Sequence, residues 1–265
     1  LTYCNVTDKR KNNGQRTTDM TQKKAIVMGA TSGIGMRVAV ELAERGWAVG
    51  IAGRRQNLLD ETAAKHPNII ATQCIDITAE DAAHELMALV EKMGGMDLYF
   101  HSSGIGYQNP SLDVQKELST LQTNVVGFSR MLIAAFEYFC RHPERTGHIA
   151  AISSIAGTKG LGAAPAYSSS KRFCNHYLEC LSQLCAIRRI GHIRIHDIRP
   201  GFVRTALLAD GKYPLQLDPD KVARNIVKRM LKGESIITVD WRYRLLVGAW
   251  RLIPRWIWIK MRISS

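Results

Sequence analysis

The sequence predicts an α/β fold, a single domain built on a parallel sheet of about seven strands with helices on both faces. Three observations predict it. Short apolar runs alternate with amphipathic stretches from residue 25 to residue 239, the first run passes through a glycine-rich turn directly into a helical pattern, and no internal repeat interrupts the series. With 46% hydrophobic and 22% charged residues among 265, the chain can bury one sizeable core, which excludes disorder along its whole length.

Residues 1–22 are polar, run through Lys9, Arg10, Lys11, Asn12, Asn13 and Gly14 without an apolar face, and are expected to form a disordered tail. Order begins at Ala25. Residues 25–28, 48–52, 69–75, 98–101, 148–153 and 193–198 are short apolar runs that read as buried strands. Between them, helical periodicity predicts helices at 34–45, 56–65, 79–93, 113–141 and 166–190. Asp218-Pro219 is an N-cap followed by proline at the first helical position, opening a helix that runs to about Lys232, and 235–239 supplies a seventh strand. The domain so defined covers residues 23–240, followed by a basic, tryptophan-rich extension over 241–265.

Lysine and arginine number 36 against 23 acids, a net charge of +13 that would ordinarily suggest nucleic acid or an anionic membrane as partner. Residues 1–24 carry six basic and two acidic side chains and residues 241–265 six basic and none acidic, so the body between them is nearly neutral at +3. That placement argues against nucleic-acid binding by the core, and no nucleic-acid recognition motif is present. The six cysteines, Cys4, Cys74, Cys140, Cys174, Cys180 and Cys185, form no C-x-x-C pair, imply no metal site and fall mostly in apolar or helical stretches. Free thiols, the lack of a secretory apolar run and the lack of a bilayer-spanning stretch predict a reducing, cytoplasmic setting.

The first strand runs into Gly29-Ala30-Thr31-Ser32-Gly33-Ile34-Gly35 and then a helix. Glycines there let the backbone approach a pyrophosphate, whose charge sits against the helix N-terminus. The spacing Gly-x-x-x-Gly-x-Gly differs from the generic Gly-x-Gly-x-x-Gly, and a turn needed only for tight strand-to-helix packing is the alternative. The second strand ends at Gly53-Arg54-Arg55, where an NAD site would carry an acid for the ribose 2′-hydroxyl. Two guanidinium groups suit a 2′-phosphate instead, which points to NADP(H), unless they form only a solvated start to the next helix. Asp76, followed by Ile77, accepts a hydrogen bond from an adenine amino group or serves as a turn residue.

Tyr167 and Lys171 stand at i and i+4 of a predicted helix and share one face, and Ser154 lies 13 residues before the tyrosine at the end of a strand. A free phenol is only ~0.1% ionised at pH 7. A neighbouring ammonium favours its ionised form and makes it a usable proton donor and acceptor, while a serine hydroxyl there holds a substrate oxygen.

With Gly29-x-x-x-Gly33-x-Gly35, Asp76, Asn124 in Thr123-Asn124-Val125, Ser153-Ser154-Ile155-Ala156-Gly157, Tyr167-Ser168-Ser169-Ser170-Lys171, and Pro200-Gly201 with Thr205, the sequence resembles the short-chain dehydrogenase/reductase family over essentially all of residues 23–240. The resemblance implies a Rossmann-type, doubly wound sheet and hydride transfer between NADP(H) and a carbonyl or secondary alcohol. It implies Tyr167 as general acid/base, Lys171 on the nicotinamide ribose, Ser154 orienting substrate and Asn124 holding a water that joins the lysine to solvent. Pro200, Gly201, Val203 and Thr205 would line the nicotinamide carboxamide, and the long helices at 113–141 and 166–190 would build a homodimer or homotetramer. The Tyr-to-Lys spacing favours carbonyl chemistry over reduction of a carbon–carbon double bond. Two positions depart from the family: Met28 replaces a threonine, and the usual Asn-Asn-Ala-Gly reads His101-Ser102-Ser103-Gly104. Ser102, Ser103 and Gly104 still allow close approach to the cofactor. His101 is a packing residue or a proton carrier.

The lid expected after Gly201, from Phe202 to Leu217, is short. Beyond it, Arg244, Arg251, Arg255 and Arg262 fall on one side of a helical projection and Trp241, Leu245, Leu252, Trp256, Ile259 and Ile263 broadly on the other. Val247 and Trp258 break that pattern, and Pro254 should kink the helix. The segment suits peripheral contact with an anionic membrane, which hints at an apolar or lipid-linked substrate, or else it packs over the substrate cleft or a neighbouring subunit. The alternative to an enzyme is a non-catalytic NADPH-sensing or scaffolding protein that keeps the fold, and the intact Ser154, Tyr167 and Lys171 speak against it.

Overall fold

A computed structural model describes residues 22–205 and 215–261. Residues 1–21 of the expected amino-terminal tail, 206–214 of the lid, and Arg262 and Ile263 lie outside the described residues. Seven strands, β1 (Lys24–Met28), β2 (Ala48–Gly53), β3 (Ile69–Cys74), β4 (Leu98–His101), β5 (Gly147–Ile152), β6 (Ile193–Pro200) and β7 (Ile236–Val239), form one sheet in the order β3-β2-β1-β4-β5-β6-β7. Every pairing is parallel. Side chains of β1 show why: Ala25 and Val27 enter the core on one face, Ile26 and Met28 the core on the other, and all four are fully buried.

Helices α1 (Gly33–Glu44), α2 (Gln56–Lys65), α7 (Pro219–Leu231) and α8 (Trp241–Leu252) cover one face. On the other lie α3 (Ala82–Lys92), α5 (Phe128–Arg141) and α6 (Pro165–Ile187), with α4 (Val114–Leu121) beside α6. A short α9 (Arg255–Trp258) follows α8. The start of α7 is as the sequence predicts: the Asp218 carboxylate accepts from the amides of Asp220 (2.9 Å) and Lys221 (3.1 Å), with Pro219 in the first turn.

The helix expected over 113–141 is two helices joined by a π-helical turn, Gln122–Gly127. Apolar spacing runs on through the junction, so periodicity does not mark it. The cause is a close approach: a Cβ at Gly127 would lie 2.8 Å from the Ile77 carbonyl oxygen, so the extra residue of the π turn lets bare backbone meet β3's loop. The same turn carries Asn124 into the interior. Because β1 is flanked by β2 on one side and β4 on the other, chain connections diverge there, and a crevice opens beyond the strands' carboxyl ends.

Candidate active site

The crevice is a cavity of about 870 Å³ lined from the ends of β1, β2, β4, β5 and β6 and from α6 and α8. Its floor is the turn after β1. Gly29 (φ +83°) sits where a Cβ would come within 2.5 Å of the Ser103 amide nitrogen, and Gly33 has φ +60°. At Gly35 a Cβ would meet the Gly29 carbonyl oxygen at 2.3 Å, so this glycine seats α1 under the turn and does not line the cavity. Gly29, Thr31, Ser32, Gly33 and Ile34 do line it, and no side chain caps the α1 N-terminus there, so its leading amides remain available to an anion.

Arg54 and Arg55 are exposed on the rim at the end of β2. Arg55 donates to Thr31 Oγ1 (2.7 Å) and Ser32 Oγ (3.1 Å), which ties its guanidinium to the glycine turn. Asp76 lines the cavity and closes a turn as well, its Oδ1 accepting from the Thr78 amide (2.9 Å) and hydroxyl (2.8 Å). Burial raises its pKa, but the Thr78 bonds and the Arg54 charge outweigh that and hold the carboxyl below its usual value. Ile77, Ser102, Ser103 and Gly104 complete this wall. The donors and glycines therefore suit a dinucleotide: amides at a helix N-terminus for the pyrophosphate, and guanidinium groups at one end.

At the other end Tyr167 and Lys171 lie one turn apart on α6, with the Lys171 ammonium 5.8 Å from the tyrosine ring centroid. Lys171 is buried and donates to the Ile152 carbonyl (3.0 Å). Gly106 holds the tyrosine ring, since a Cβ there would fall 2.4 Å from it. Ser154 follows β5; its Oγ accepts from the Ala156 amide (3.0 Å) and caps the short turn Ile155–Gly157, which packs on the α6 backbone. Ser154, Tyr167 and Lys171 all face the cavity with Pro200, Gly201, Val203 and Thr205. Asn124 does not line it. Its amide group donates to the Ile105 carbonyl (2.7 Å) and Ser170 Oγ (3.0 Å) and accepts from the Ile105 amide (2.9 Å), clamping the loop after β4.

His101 is fully buried, packs edge-on against Phe128 and bonds through Nδ1 to the Tyr99 hydroxyl (2.8 Å). Burial, then the Lys171 charge, push its pKa down to about 3, which suits a neutral packing residue. Among the described residues no group of three His, Cys, Asp or Glu side chains is arranged to hold a metal ion.

Ile105, Tyr107, Leu161, Phe202, Leu246 and Trp250 add an apolar share to the lining of the same cavity. Sequence patterning did not single out these six as a group, although Leu246 and Trp250 stand at i and i+4 of the carboxy-terminal segment. That segment is kinked at Pro254 as expected and packs on the body. Tyr243 is buried against Gly201 and donates to the Leu215 carbonyl (3.1 Å). Lys159 donates to the Ile253 carbonyl (2.7 Å), and Trp258 Nε1 to the Gly160 carbonyl (2.7 Å). Val247 and Trp258, which broke the amphipathic pattern, are buried here with Tyr243, whereas Trp241, Leu245, Leu252, Trp256 and Ile259 remain exposed.

The family model of short chain dehydrogenases matches residues 23–213, most of the chain. The chain belongs to the short chain dehydrogenase family. As a family member it is an oxidoreductase. It is 30% identical over 245 residues to an uncharacterized oxidoreductase of Myxococcus xanthus, covering 89% of this chain and 94% of that one. Among solved structures it is similar to an actinorhodin polyketide ketoreductase variant with NADPH, at TM-score 0.72 and 22% identity over 82% of this chain and 95% of that one. A 3-ketoacyl-(acyl-carrier-protein) reductase from Brucella melitensis complexed with NADH gives TM-score 0.72 and 22% identity over 82% and 96%. These two likenesses establish the shared fold.

Proposed function

We propose that this short chain dehydrogenase transfers a hydride between NADP(H) and a carbonyl or secondary alcohol, with Tyr167 as general acid/base. The observation that carries this reading is that Tyr167, Lys171 and Ser154 open on the same cavity as the glycine turn and the two arginines. NADPH, when bound, supplies the hydride that reduces the carbonyl carbon. Ser154 Oγ holds the substrate oxygen, and the Tyr167 hydroxyl gives that oxygen its proton in reduction and takes it back in oxidation. Lys171 binds the nicotinamide ribose, its ammonium held beside the Tyr167 ring. Asn124 keeps the loop after β4 against α6, and through it the water path to the lysine. Similar structures carry NADPH or NADH, so the preference for NADP(H) rests on Arg54 and Arg55, whose guanidinium groups suit a 2′-phosphate.

The protein acts as a homodimer or homotetramer through α4–α5 and α6, in keeping with the exposed Leu118, Val126 and Ile133. It works in the cytoplasm. A pure NADPH sensor has no use for the serine, tyrosine and lysine together. Replacing Tyr167 with Phe tests the reading: turnover of a carbonyl panel should fall by roughly 10²- to 10⁴-fold while NADPH affinity is kept. Undiminished turnover would refute it.

A further inference from the structure

The arm formed by α8 and α9 has two working faces. At 100° per residue, Tyr243, Leu246, Val247 and Trp250 gather on one side of α8, where Tyr243 and Val247 are buried and Leu246 and Trp250 line the cavity. Trp241, Leu245 and Leu252 gather on the opposite side, at 68%, 65% and 84% exposure, with Gly248 between them. After the kink, Trp256 and Ile259 continue the exposed apolar surface. Exposed side chains of this size clustered in one segment mark a contact site in a protein whose other large apolar side chains are mostly buried.

The charges around this surface select the occupant. Arg242 flanks the apolar stripe on one side and Arg244 and Arg251 on the other, Arg255 and Lys260 follow, and no acidic residue occurs after Asp240. Asp240 itself pairs with Arg242 (3.1 Å), leaving the arm strongly cationic. Two such arms meeting face to face would set cation against cation with no acid between them. An anionic lipid surface satisfies both halves of the pattern, with tryptophan and leucine at the headgroup–acyl boundary and arginine at the phosphates.

The arm is also bonded to both walls of the substrate end. Tyr243 packs on Gly201 and stands edge-on to Phe202, with ring centroids 6.1 Å apart. Lys159 and Trp258 fasten the arm to the loop that carries Leu161. We propose that the arm docks on an anionic bilayer, and that the cavity it walls takes a carbonyl or alcohol borne on a long apolar chain drawn from that bilayer. The substrate half of this proposal rests on the hydride-transfer reading above; the docking half does not.

The test uses the full chain and a Trp241→Ser, Leu245→Ser, Trp256→Ser variant, all three positions being exposed and outside the cavity. Flotation is read with vesicles of phosphatidylcholine alone and of phosphatidylcholine mixed with phosphatidylglycerol. The wild type should float with the anionic vesicles and be released by salt, and the variant should bind them at least about tenfold more weakly with NADPH affinity unchanged. Equal flotation of the two proteins, or sedimentation showing that the substitutions dissociate an oligomer instead, would overturn docking. NADPH oxidation is then followed with methyl ketones of increasing chain length in anionic vesicles. The wild-type kcat/KM should rise with length, and the variant should lose that rise while matching the wild type on the shortest ketone. A flat or falling dependence overturns the substrate class. No NADPH oxidation with any ketone would overturn the hydride-transfer reading, and the flotation result would stand apart from it.

Discussion

Acidification should destabilise this protein before its depressed carboxylates protonate, because three histidines, His101, His148 and His196, are built into the sheet as neutral groups. His148 on β5 and His196 on β6 stack with ring centroids 5.2 Å apart, and His148 Nδ1 lies 2.9 Å from His196 Nε2. His196 Nδ1 is 2.7 Å from the Glu234 carbonyl, which only accepts, so Nδ1 carries the hydrogen and Nε2 accepts from His148. Protonating His196 would set hydrogen against hydrogen. Burial, then the charges of His196, Arg194 and Lys23, lower the His148 pKa to about 4, and burial followed by the Lys171 charge lowers that of His101 to about 3. An unfolded histidine titrates near ~6.5, so the unfolded chain binds the protons first and stability falls as pH drops from about 6.5 toward 4. Each group contributes up to about 1.4 kcal/mol per pH unit, or roughly 3 kcal/mol by pH 4.5. Carboxylates held below their usual pKa, those of Asp76, Asp218, Glu234 and Asp240, lose their contribution only below about pH 4.5. Urea unfolding between pH 7.5 and 4.5 should therefore show a steep loss that His148→Phe, which keeps the stacked ring, reduces by about one histidine's share. A level wild-type profile from pH 6.5 to 4.5, or an undiminished slope in the variant, refutes the reasoning.

Replacing Arg54 and Arg55 with Ala should weaken NADPH binding by about 1.5–3 kcal/mol, roughly 10- to 100-fold, and leave NADH unchanged by calorimetry; an equal loss for both nucleotides would remove the 2′-phosphate role. Gly201→Ala would drive a Cβ to 2.2 Å from the Tyr243 ring, so the arm must shift. A stability loss of about 1–3 kcal/mol in urea and a raised KM with NADPH affinity kept are expected, and unchanged values would mean that the arm is not seated through Tyr243.

The sheet was legible because its central strands are buried on both faces and so read as apolar runs, and Gly29, Gly33, Ser154, Tyr167 and Lys171 were legible because short motifs carry them. The break at Gln122–Gly127 was not, since it arises from Gly127 meeting the Ile77 carbonyl, a contact between distant segments with no local signature. The substrate wall was hidden for a related reason: Leu246 and Trp250 fit an ordinary apolar helix face, and Lys159 is one lysine among many until its bond to Ile253 is seen. Val247 and Trp258 were informative in an unexpected way. As interruptions of a single amphipathic stripe they looked like noise, yet a helix with apolar residues on two sides has two neighbours to satisfy, and these two residues face the protein.

The close approach of Gly29 to the Ser103 backbone and of Gly35 to the Gly29 carbonyl and the Ser102 Cβ leaves three segments, the turn after β1, the first coil of α1 and the end of β4, in close contact with only one short side chain among them. Nothing compressible lies between them, so this corner of the molecule holds its shape before any visitor arrives. Nucleotide capture should accordingly be a matter of encounter, with little reorganisation to slow it, and whatever give the catalyst possesses must reside across the crevice from this mould.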